Sequence, residues 1–276
     1  MKALIIGASG ILGSQIVGFL SKEINIKAGF RDKTKFIEKE NVESVYFDYE
    51  DEESIDLSLQ GIDRVLLMAP PLDFGSYEKL SVVVKKMKNL GIKKVVLISA
   101  LGVDSNDEIP LRKVELDLIK DDFDYVILRP NYFMESFSSG AFASFKQTNE
   151  LALCAGDGQT SFISAVDIAK IVTKVILEDK YNKKAFNLTG NEALSMGEAI
   201  NIINEIKKTN YKYNDVQIDK FKEILLSYGI NESNIDFSIM LLTHTKNGYL
   251  SGITNDVKEI LGTEPKSFRE FVKEYI

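Results

Sequence analysis

The sequence predicts an α/β protein built on a doubly wound parallel sheet, with a smaller α+β lobe in its second half. Short apolar runs alternate with stretches of helical periodicity as far as residue 128. Strands that alternate with helices in this order form parallel sheets covered on both faces. The predicted strands are residues 2–6, 24–30, 44–47, 62–68, 94–99 and 125–128. The 276 residues, 45% of them apolar, are enough for a sizeable core.

Three glycines follow the first predicted strand in the spacing G-x-x-G-x-x-G, and an amphipathic helical pattern comes after them. Gly7 can adopt a φ that side chains disfavour, Gly10 leaves the backbone bare for a pyrophosphate, and Gly13 lets the helix lie close to the strand. A glycine-rich turn without a ligand is the alternative. We favour a Rossmann-type dinucleotide site, in which the helix N-terminus faces the phosphates and the contacting residues are Gly7, Ser9, Gly10, Ile11, Leu12 and Gly13.

Composition narrows the function further. The net charge is −7 with both signs interspersed, so no basic face is expected to bind nucleic acid. One cysteine, Cys154, excludes an internal disulfide, and one histidine, His244, excludes a multi-histidine metal site. No metal is therefore expected. The N-terminus enters a strand without a signal peptide, and the longest apolar runs are too short to span a membrane. The sequence predicts a soluble, cytoplasmic protein.

Charged residues at the end of the second predicted strand bear on the choice of cofactor. In a dinucleotide fold this strand end meets the adenosine ribose. Arg31, supported by Lys33 or Lys35, offers positive charge to a 2′-phosphate. Asp32 instead favours NAD(H), because a carboxylate there can accept hydrogen bonds from a free 2′-hydroxyl. We therefore favour NADP(H) over NAD(H) and leave NAD(H) open. Asp48, after the third strand, is a candidate acceptor for the adenine amino group.

Two further strand ends are expected to line the cofactor. The fourth strand closes with Met68, Ala69 and Pro70, followed by a second proline. Prolines cannot continue a hydrogen-bonded ladder, so a stiff loop is predicted beside the cofactor. Ser99 ends the fifth strand at the carboxyl edge of the sheet, where ligands of such folds bind.

The second half predicts the smaller lobe. Short strands are expected at residues 151–155, 160–163 and 185–189, and a helix is expected to begin at Asp167. Capping boxes at Ser195/Glu198 and Ser267/Glu270 each predict the start of a helix, and further helices are expected over 216–228, 233–245 and 254–261. The predicted division is a dinucleotide-binding domain over 1–150 and a substrate lobe over 151–276. The boundary is soft, and parts of the lobe are expected to return to the sheet.

Several motifs resemble the NmrA-like, atypical branch of the short-chain dehydrogenase/reductases, and especially its quinone and triphenylmethane reductase-like members. They occur in the family's order over most of the chain: GASGILG at 7–13, FRDKTK at 30–35, KVVLIS at 94–99, YVILRPNYFME at 125–135, GDG at 156–158 and FNLTGNEALS at 186–195. The resemblance implies that residues 7–13 hold the pyrophosphate and that Arg31 and Lys35 bind the 2′-phosphate. It further implies that residues 68–70 and 99–101 flank the nicotinamide, and that Asn131, Tyr132 and Phe133 cover it.

The sequence departs from the wider superfamily at the catalytic Tyr-x-x-x-Lys pair. The positions aligned with that pair hold Asp107 and Leu111. Lys113 is close by, but Ile109 lies four residues before it. The phenol–lysine relay that serves alcohol and carbonyl chemistry is therefore not expected here, which disfavours an ordinary alcohol dehydrogenase or a sugar epimerase.

The leading hypothesis is an NADPH-dependent reductase of quinone-like or other conjugated small-molecule electrophiles. Such acceptors can take up hydride without a tightly placed acid, and solvent, Tyr77, Lys113 or Tyr132 is the expected proton donor. Tyr77, Tyr132 and Phe133 are expected to form the apolar pocket, although core packing is an equal alternative for each.

A second hypothesis is a non-catalytic NADP(H) sensor that acts on a protein partner, which the absent relay favours. A reductase of an imine or enone is a third. The sequence leaves open whether the protein forms a homodimer.

Overall fold

The computed structural model describes residues 1–276. Its strands are β1 (Lys2–Ile6), β2 (Asn25–Phe30), β3 (Val42–Tyr46), β4 (Arg64–Met68), β5 (Lys94–Ile98), β6 (Asp124–Pro130), β7 (Glu150–Leu153), β8 (Gln159–Thr160), β9 (Lys184–Leu188), β10 (Leu194–Ser195) and β11 (Lys212–Asp215). Its α-helices are α1 (Ile11–Leu20), α2 (Glu52–Leu59), α3 (Ser76–Asn89), α4 (Pro110–Lys120), α5 (Phe145–Thr148), α6 (Ala165–Leu177), α7 (Met196–Lys207), α8 (Ile218–Ser227), α9 (Glu232–Lys246), α10 (Asp256–Leu261) and α11 (Phe268–Tyr275). None of these helices combines the length and apolar character needed to cross a bilayer.

The central sheet confirms the predicted fold class. Seven strands lie in the order β3-β2-β1-β4-β5-β6-β9. The pairs from β3 across to β6 are all parallel. The chain reverses its direction of winding at β1, which pairs with β2 on one side and β4 on the other. This topological switch point is where ligands bind at the carboxyl edge of doubly wound sheets.

Helices cover both faces of this sheet. Helices α2, α3 and α4 pack with alternate strand residues into one buried cluster that includes Leu4, Val65 and Leu97. Side chains alternate along a strand, so Ile5 and Leu66, which are also fully buried, point to the other face. Helices α1 and α6 pack against each other. A sheet buried in this way explains why its strands read as nearly continuous apolar runs.

The chain forms two compact units. The first consists of Met1–Pro71, Gly75–Pro130 and Ala165–Asn187, and the second of Leu72–Phe74, Asn131–Ser164 and Leu188–Ile276. The division therefore lies twenty residues before the expected boundary at 150, since β6 ends at Pro130 and the chain leaves the sheet there. Helix α6 and most of β9 belong to the first unit, and β9 is the last strand of the central sheet, next to β6.

The second unit has its own core and two small sheets. Its core combines aromatic residues with the apolar faces of α7 and α11. Strands β7 and β11 pair in parallel, and β8 and β10 pair antiparallel. Both predicted capping boxes are confirmed, at Ser195/Glu198 and at Ser267/Glu270.

Some elements differ from expectation. Strand β8 ends at Thr160, because Ser161 and Ile163 use their amides to bind loop carbonyls rather than a ladder. The strand β11 was not predicted. Its sequence KYND is polar, and a short strand on a small sheet buries too few side chains to show a period of two.

Candidate dinucleotide-binding site

The glycine loop after β1 has the geometry that its spacing predicts. Gly7 has a φ of +75°, in the left-handed region, and its carbonyl accepts a hydrogen bond of 3.0 Å from the amide of Gly10. A Cβ on Gly13 would lie 2.1 Å from the carbonyl oxygen of Gly7, far inside van der Waals contact. The start of α1 can therefore reach this close to β1 only with glycine at position 13.

The N-terminus of α1 is free to receive an anion. Gly10 is its N-cap, no side chain caps the helix, and its first turn contains no acidic residue. Ser9, Gly10 and Ile11 are exposed, whereas Leu12 is buried and anchors the helix in the core. Backbone amides and the helix dipole attract phosphate at such a terminus. The bare backbone and the absence of a competing carboxylate fit a dinucleotide pyrophosphate.

The end of β2 presents the predicted cations. Phe30 pairs with Tyr46 of β3, so Arg31 leaves the sheet level with the end of the neighbouring strand. Arg31, Lys33 and Lys35 are all exposed, and the ammonium of Lys33 lies 4.9 Å from the centre of the Tyr46 ring. This cation–π contact places Lys33 towards β3.

Asp32 and Asp48 both act in local turns. Asp32 accepts hydrogen bonds from the amide and the hydroxyl of Thr34, at 2.9 and 2.7 Å. One carboxylate oxygen of Asp48 accepts from the amide of Glu50 at 3.0 Å. The contact of Asp48 with adenine stays a prediction.

A hydrogen bond from Tyr49 fixes the end of β4, where the next loop begins. The Tyr49 hydroxyl donates to the carbonyl of Met68 at 2.5 Å. Burial raises the pKa of Tyr49, so the phenol keeps this proton. The sulfur of Met68 would lie 3.2 Å from a Cβ on Gly7, which shows that Met68 borders the glycine loop. Ala69 and Pro70 follow, both half-buried. The predicted neighbours of the cofactor thus share one edge of the sheet.

Ser99 directly follows β5 and belongs to a buried network of charges. Its hydroxyl donates a 2.6 Å hydrogen bond to Glu115 of α4. The same carboxylate receives two bonds from the guanidinium of Arg129, at 2.9 and 2.7 Å, and one from Arg112 at 2.9 Å. The side chain of Glu115 is fully buried and that of Arg129 is 8% exposed.

The ionisation of Glu115 reflects two opposed effects. Burial by itself raises the pKa of this carboxyl, but the hydrogen bonds from Arg129, Ser99 and Arg112 outweigh it, and the pKa lies below its usual value. An ionised carboxylate only accepts hydrogen bonds. The hydroxyl proton of Ser99 is therefore committed to Glu115, and Ser99 presents lone pairs to any ligand.

Two of the predicted proton donors lie on adjacent helices of the first unit. Tyr77, in the first turn of α3, donates a 3.1 Å hydrogen bond to Asp117 of α4. This bond raises the pKa of the Tyr77 phenol, and the positive charge of Lys113 opposes the shift. Lys113 itself forms an ion pair of 2.7 Å with Glu108, which raises the pKa of its ammonium. Both groups are therefore protonated at neutral pH.

The remaining candidates lie in the second unit. The amide of Asn131 is buried: its nitrogen donates to Ser161 and to the carbonyl of Leu250, both at 2.8 Å, and its oxygen accepts from the backbone of Tyr132. Burial raises the pKa of Tyr132, whose ring packs near Phe142 and Phe162. Phe133 is half-buried and forms a bridge with Ile163. Contact of these three residues with nicotinamide stays a prediction.

Sequence reasoning missed Glu115, Asp117, Arg129 and Tyr49 as members of this region. The position of Glu115 could have been predicted as buried. It lies four residues after Leu111 and three before Leu118, and therefore on the apolar stripe of α4. An acid on such a stripe needs a buried partner. The partner, Arg129, is on another element and could not be identified from spacing.

The switch point, the glycine loop and the cations after β2 define a dinucleotide-binding protein of the Rossmann type. Residues 7–179 match the model of a family described as NAD(P)H-binding. The chain belongs to this NAD(P)H-binding family, which agrees with the predicted resemblance to NmrA-like atypical short-chain dehydrogenase/reductases.

Two relatives match almost the whole chain. Prestalk A differentiation protein A of Dictyostelium discoideum is 30% identical, over 99% of this chain and 92% of its own length. An NAD(P)H azoreductase of Xenophilus azovorans is 22% identical, over 98% of this chain and 96% of its own.

Solved structures show the same fold. Citrobacter sp. triphenylmethane reductase complexed with NADP(H) has a TM-score of 0.86 at 21% identity and covers all of both chains. An NADPH-dependent quinone oxidoreductase of Escherichia coli, complexed with NADPH, has a TM-score of 0.84 at 22% identity, over 99% of this chain and 98% of its own. NmrA, a negative transcriptional regulator, in complex with NADP, has a TM-score of 0.77 at 11% identity, over 99% and 94%.

Proposed function

We propose that this protein is an NADPH-dependent reductase of quinone-like or other conjugated small-molecule electrophiles. The observation that carries the proposal is the bare cradle formed by Gly7, Gly10 and Gly13 at the switch point, where the free N-terminus of α1 suits a pyrophosphate. A nicotinamide cofactor bound there supplies the hydride. The azo, triphenylmethane and quinone reductases among the similar proteins support this class of acceptor.

The preference for NADP(H) rests on the cations after β2. Arg31, Lys33 and Lys35 are exposed at the strand end that meets the adenosine ribose in this fold. A guanidinium binds phosphate oxygens in a planar, bidentate manner. Replacing Arg31 with alanine is expected to weaken NADPH binding by at least about tenfold, the value of a bond between charged groups, and to leave NADH binding unchanged. Calorimetry with both nucleotides measures this difference.

The chain's own contribution to the chemistry is modest. We assign Tyr77 the role of proton donor to the reduced acceptor, because its raised pKa keeps the phenol protonated; the proton now points to Asp117 and must turn to the acceptor before it is transferred. Conjugated acceptors disperse the negative charge that hydride delivers, so they need no prior protonation. Tyr132 and Phe133 are retained as proposed apolar contacts of the acceptor.

The decisive experiment is NADPH oxidation with a panel of quinones, azo dyes and triphenylmethane dyes. Turnover of at least one class, faster with NADPH than with NADH, is expected. A Gly13→Ala variant serves as a control for cofactor-dependent turnover. If NADPH binds but no acceptor on the panel is reduced, the reductase assignment is wrong.

A second candidate is an NADP(H) sensor. The missing Tyr-x-x-x-Lys pair and the likeness to the regulator NmrA favour it. A sensor would bind nucleotide without oxidising NADPH under any acceptor, and it would retain a protein partner only when the nucleotide is present. Turnover at a rate typical of enzymes excludes this reading.

A further inference from the structure

Asp32 occupies the position where a carboxylate selects NAD(H) in many Rossmann folds, yet it follows Arg31. The structure gives the carboxylate a different task. Its Oδ1 atom accepts both the amide and the hydroxyl of Thr34, at 2.9 and 2.7 Å, and Asp32 is the N-cap of the single 3₁₀ turn Lys33–Lys35. The backbone closes the same turn, because the amide of Lys35 donates to the carbonyl of Asp32 at 3.1 Å.

The turn that Asp32 caps carries positive charge. Lys33 and Lys35 belong to it, and Lys33 lies over the ring of Tyr46 at 4.9 Å. Asp32 is the one acidic residue between Arg31 and Lys35. Without the cap, the exposed residues 32–35 would sample many conformations. Ordering them around a phosphate would then cost conformational entropy.

We propose that Asp32 and Thr34 are specificity-determining residues of the cofactor site. The cap holds the turn so that Arg31, Lys33 and Lys35 are pre-organised for a 2′-phosphate, and Oδ1 of the carboxylate serves the turn through Thr34. This inference rests on the proposed use of NADP(H) and deepens it. It gives Asp32, the one feature of the sequence that indicates NAD(H), a role in binding NADP(H).

The test compares Asp32→Asn with Asp32→Ala. Asparagine caps as well as aspartate, whereas alanine does not. The two variants have the same charge and differ only in the cap. In titration calorimetry, NADPH is expected to bind the alanine variant about fivefold more weakly than the asparagine variant, which is the typical value of a cap. NADH is expected to bind the two equally.

The charge itself is tested separately. Relative to the wild type, Asp32→Asn is expected to tighten NADPH by about twofold to fivefold, through loss of a repulsion between exposed charges, and to leave NADH within about twofold. Asp51→Asn is the control, because Asp51 is also an N-cap near Tyr46, although half-buried, and its carboxylate accepts a hydrogen bond from the amide of Ser54. It loses the same charge and keeps its cap.

Thr34 provides an independent arm. Thr34→Val removes the hydroxyl bond and is expected to weaken NADPH by about threefold, roughly one neutral hydrogen bond of modest strength. Thr34→Ser keeps the hydroxyl and is expected to bind as the wild type does.

The outcomes separate this inference from the proposed function. If Asp32→Asn weakens NADH by about tenfold, as loss of a charge-assisted bond to ribose would, or if the asparagine and alanine variants bind NADPH alike, the inference is wrong while the cofactor site stands. If the wild type binds neither nucleotide and its melting temperature does not shift with either, the proposed function fails as well.

Discussion

Replacing Arg129 with methionine is expected to destabilise the protein more than any change at the exposed ion pairs. Arg129 donates two hydrogen bonds to Glu115, and the Glu115 side chain has no exposed surface. Methionine fills much of the arginine volume but leaves the carboxylate with Ser99 and Arg112 alone. The buried charge is then undercompensated, and the carboxylate cannot regain water without opening the packing between α4 and β6.

The size of the effect follows from this burial. Removing one partner of a buried ion pair costs about 3–5 kcal/mol, a large share of the roughly 5–15 kcal/mol that stabilises a typical protein. For a chain of this size each kcal/mol moves the melting temperature by about 2–4 °C. A fall of roughly 6–20 °C is therefore expected for Arg129→Met. Circular dichroism during heating measures it.

The double variant Glu115→Leu/Arg129→Met decides whether the reason is the orphaned charge. Apolar replacement of both partners removes the charge and is often neutral or stabilising, so the double variant is expected to melt well above Arg129→Met alone. Asp104→Asn is the control, because Asp104 also bonds Arg129 but is 42% exposed, and it should cost less than about 1 kcal/mol. Equal losses in the single and double variants would refute the reasoning.

Three further predictions concern the glycine loop, the phenol and pH. Gly13→Ala is expected to abolish NADPH binding in calorimetry, since its Cβ would lie 2.1 Å from the Gly7 carbonyl, whereas Gly18→Ala, with open space around it, should bind normally. Tyr77→Phe is expected to lower acceptor turnover by about a hundredfold, at the lower end for a general acid, without changing the NADPH dissociation constant; a wild-type turnover would remove Tyr77 from the mechanism. Glu115 has a depressed pKa in the fold, so its stabilisation is complete above about pH 4.3, the usual value for glutamate, and is lost as the pH falls through the lower folded value. Melting temperatures should therefore drop more steeply with acid in the wild type than in Glu115→Leu/Arg129→Met, and parallel curves would contradict this.

The sheet could be predicted because its strands are short, buried and separated by clear helical periods. Runs such as Val95–Ile98 need no tertiary information, since a strand buried on both faces is apolar throughout. The second unit was harder. Strand β11 has only Tyr213 half-buried, so its pattern resembles a loop until its pairing with β7 is known. The start of α6 at Ala165, two residues before the predicted Asp167, shows the usual uncertainty of helix ends.

The candidate site divides in the same way between local and long-range information. The glycine loop could be predicted because the backbone conformations and close approaches that require these glycines all lie within residues 7–13. The cap that Asp32 forms by accepting hydrogen bonds from Thr34 is equally local, and D-x-T at a strand end indicates such a turn. The pair of Glu115 and Arg129 could not be predicted, because it depends on how α4 lies against β6. Their separation of 14 residues in the sequence does not predict that the two side chains meet.

The placement of Tyr77 connects the missing relay with the kind of acceptor. In the superfamily motif Tyr-x-x-x-Lys, the phenol and the lysine lie four residues apart in the sequence. Here the phenol is on α3, and its bond to Asp117 raises the pKa despite the charge of Lys113 on α4. Lys113 is itself paired with Glu108. A phenol in this setting is a weak acid and does not protonate an acceptor before the hydride arrives.

Such a donor suits an acceptor that can take up hydride without prior protonation, and it does not suit one that must be protonated as the hydride approaches. A ketone carbonyl needs protonation as the hydride approaches, because its alkoxide is unstable in a site that excludes water. A quinone or an azo group spreads the incoming charge over a conjugated system and can be protonated later. If the Tyr77→Phe variant lost activity with simple ketones but kept it with quinones, the phenol would be acting early and this order of events would be wrong.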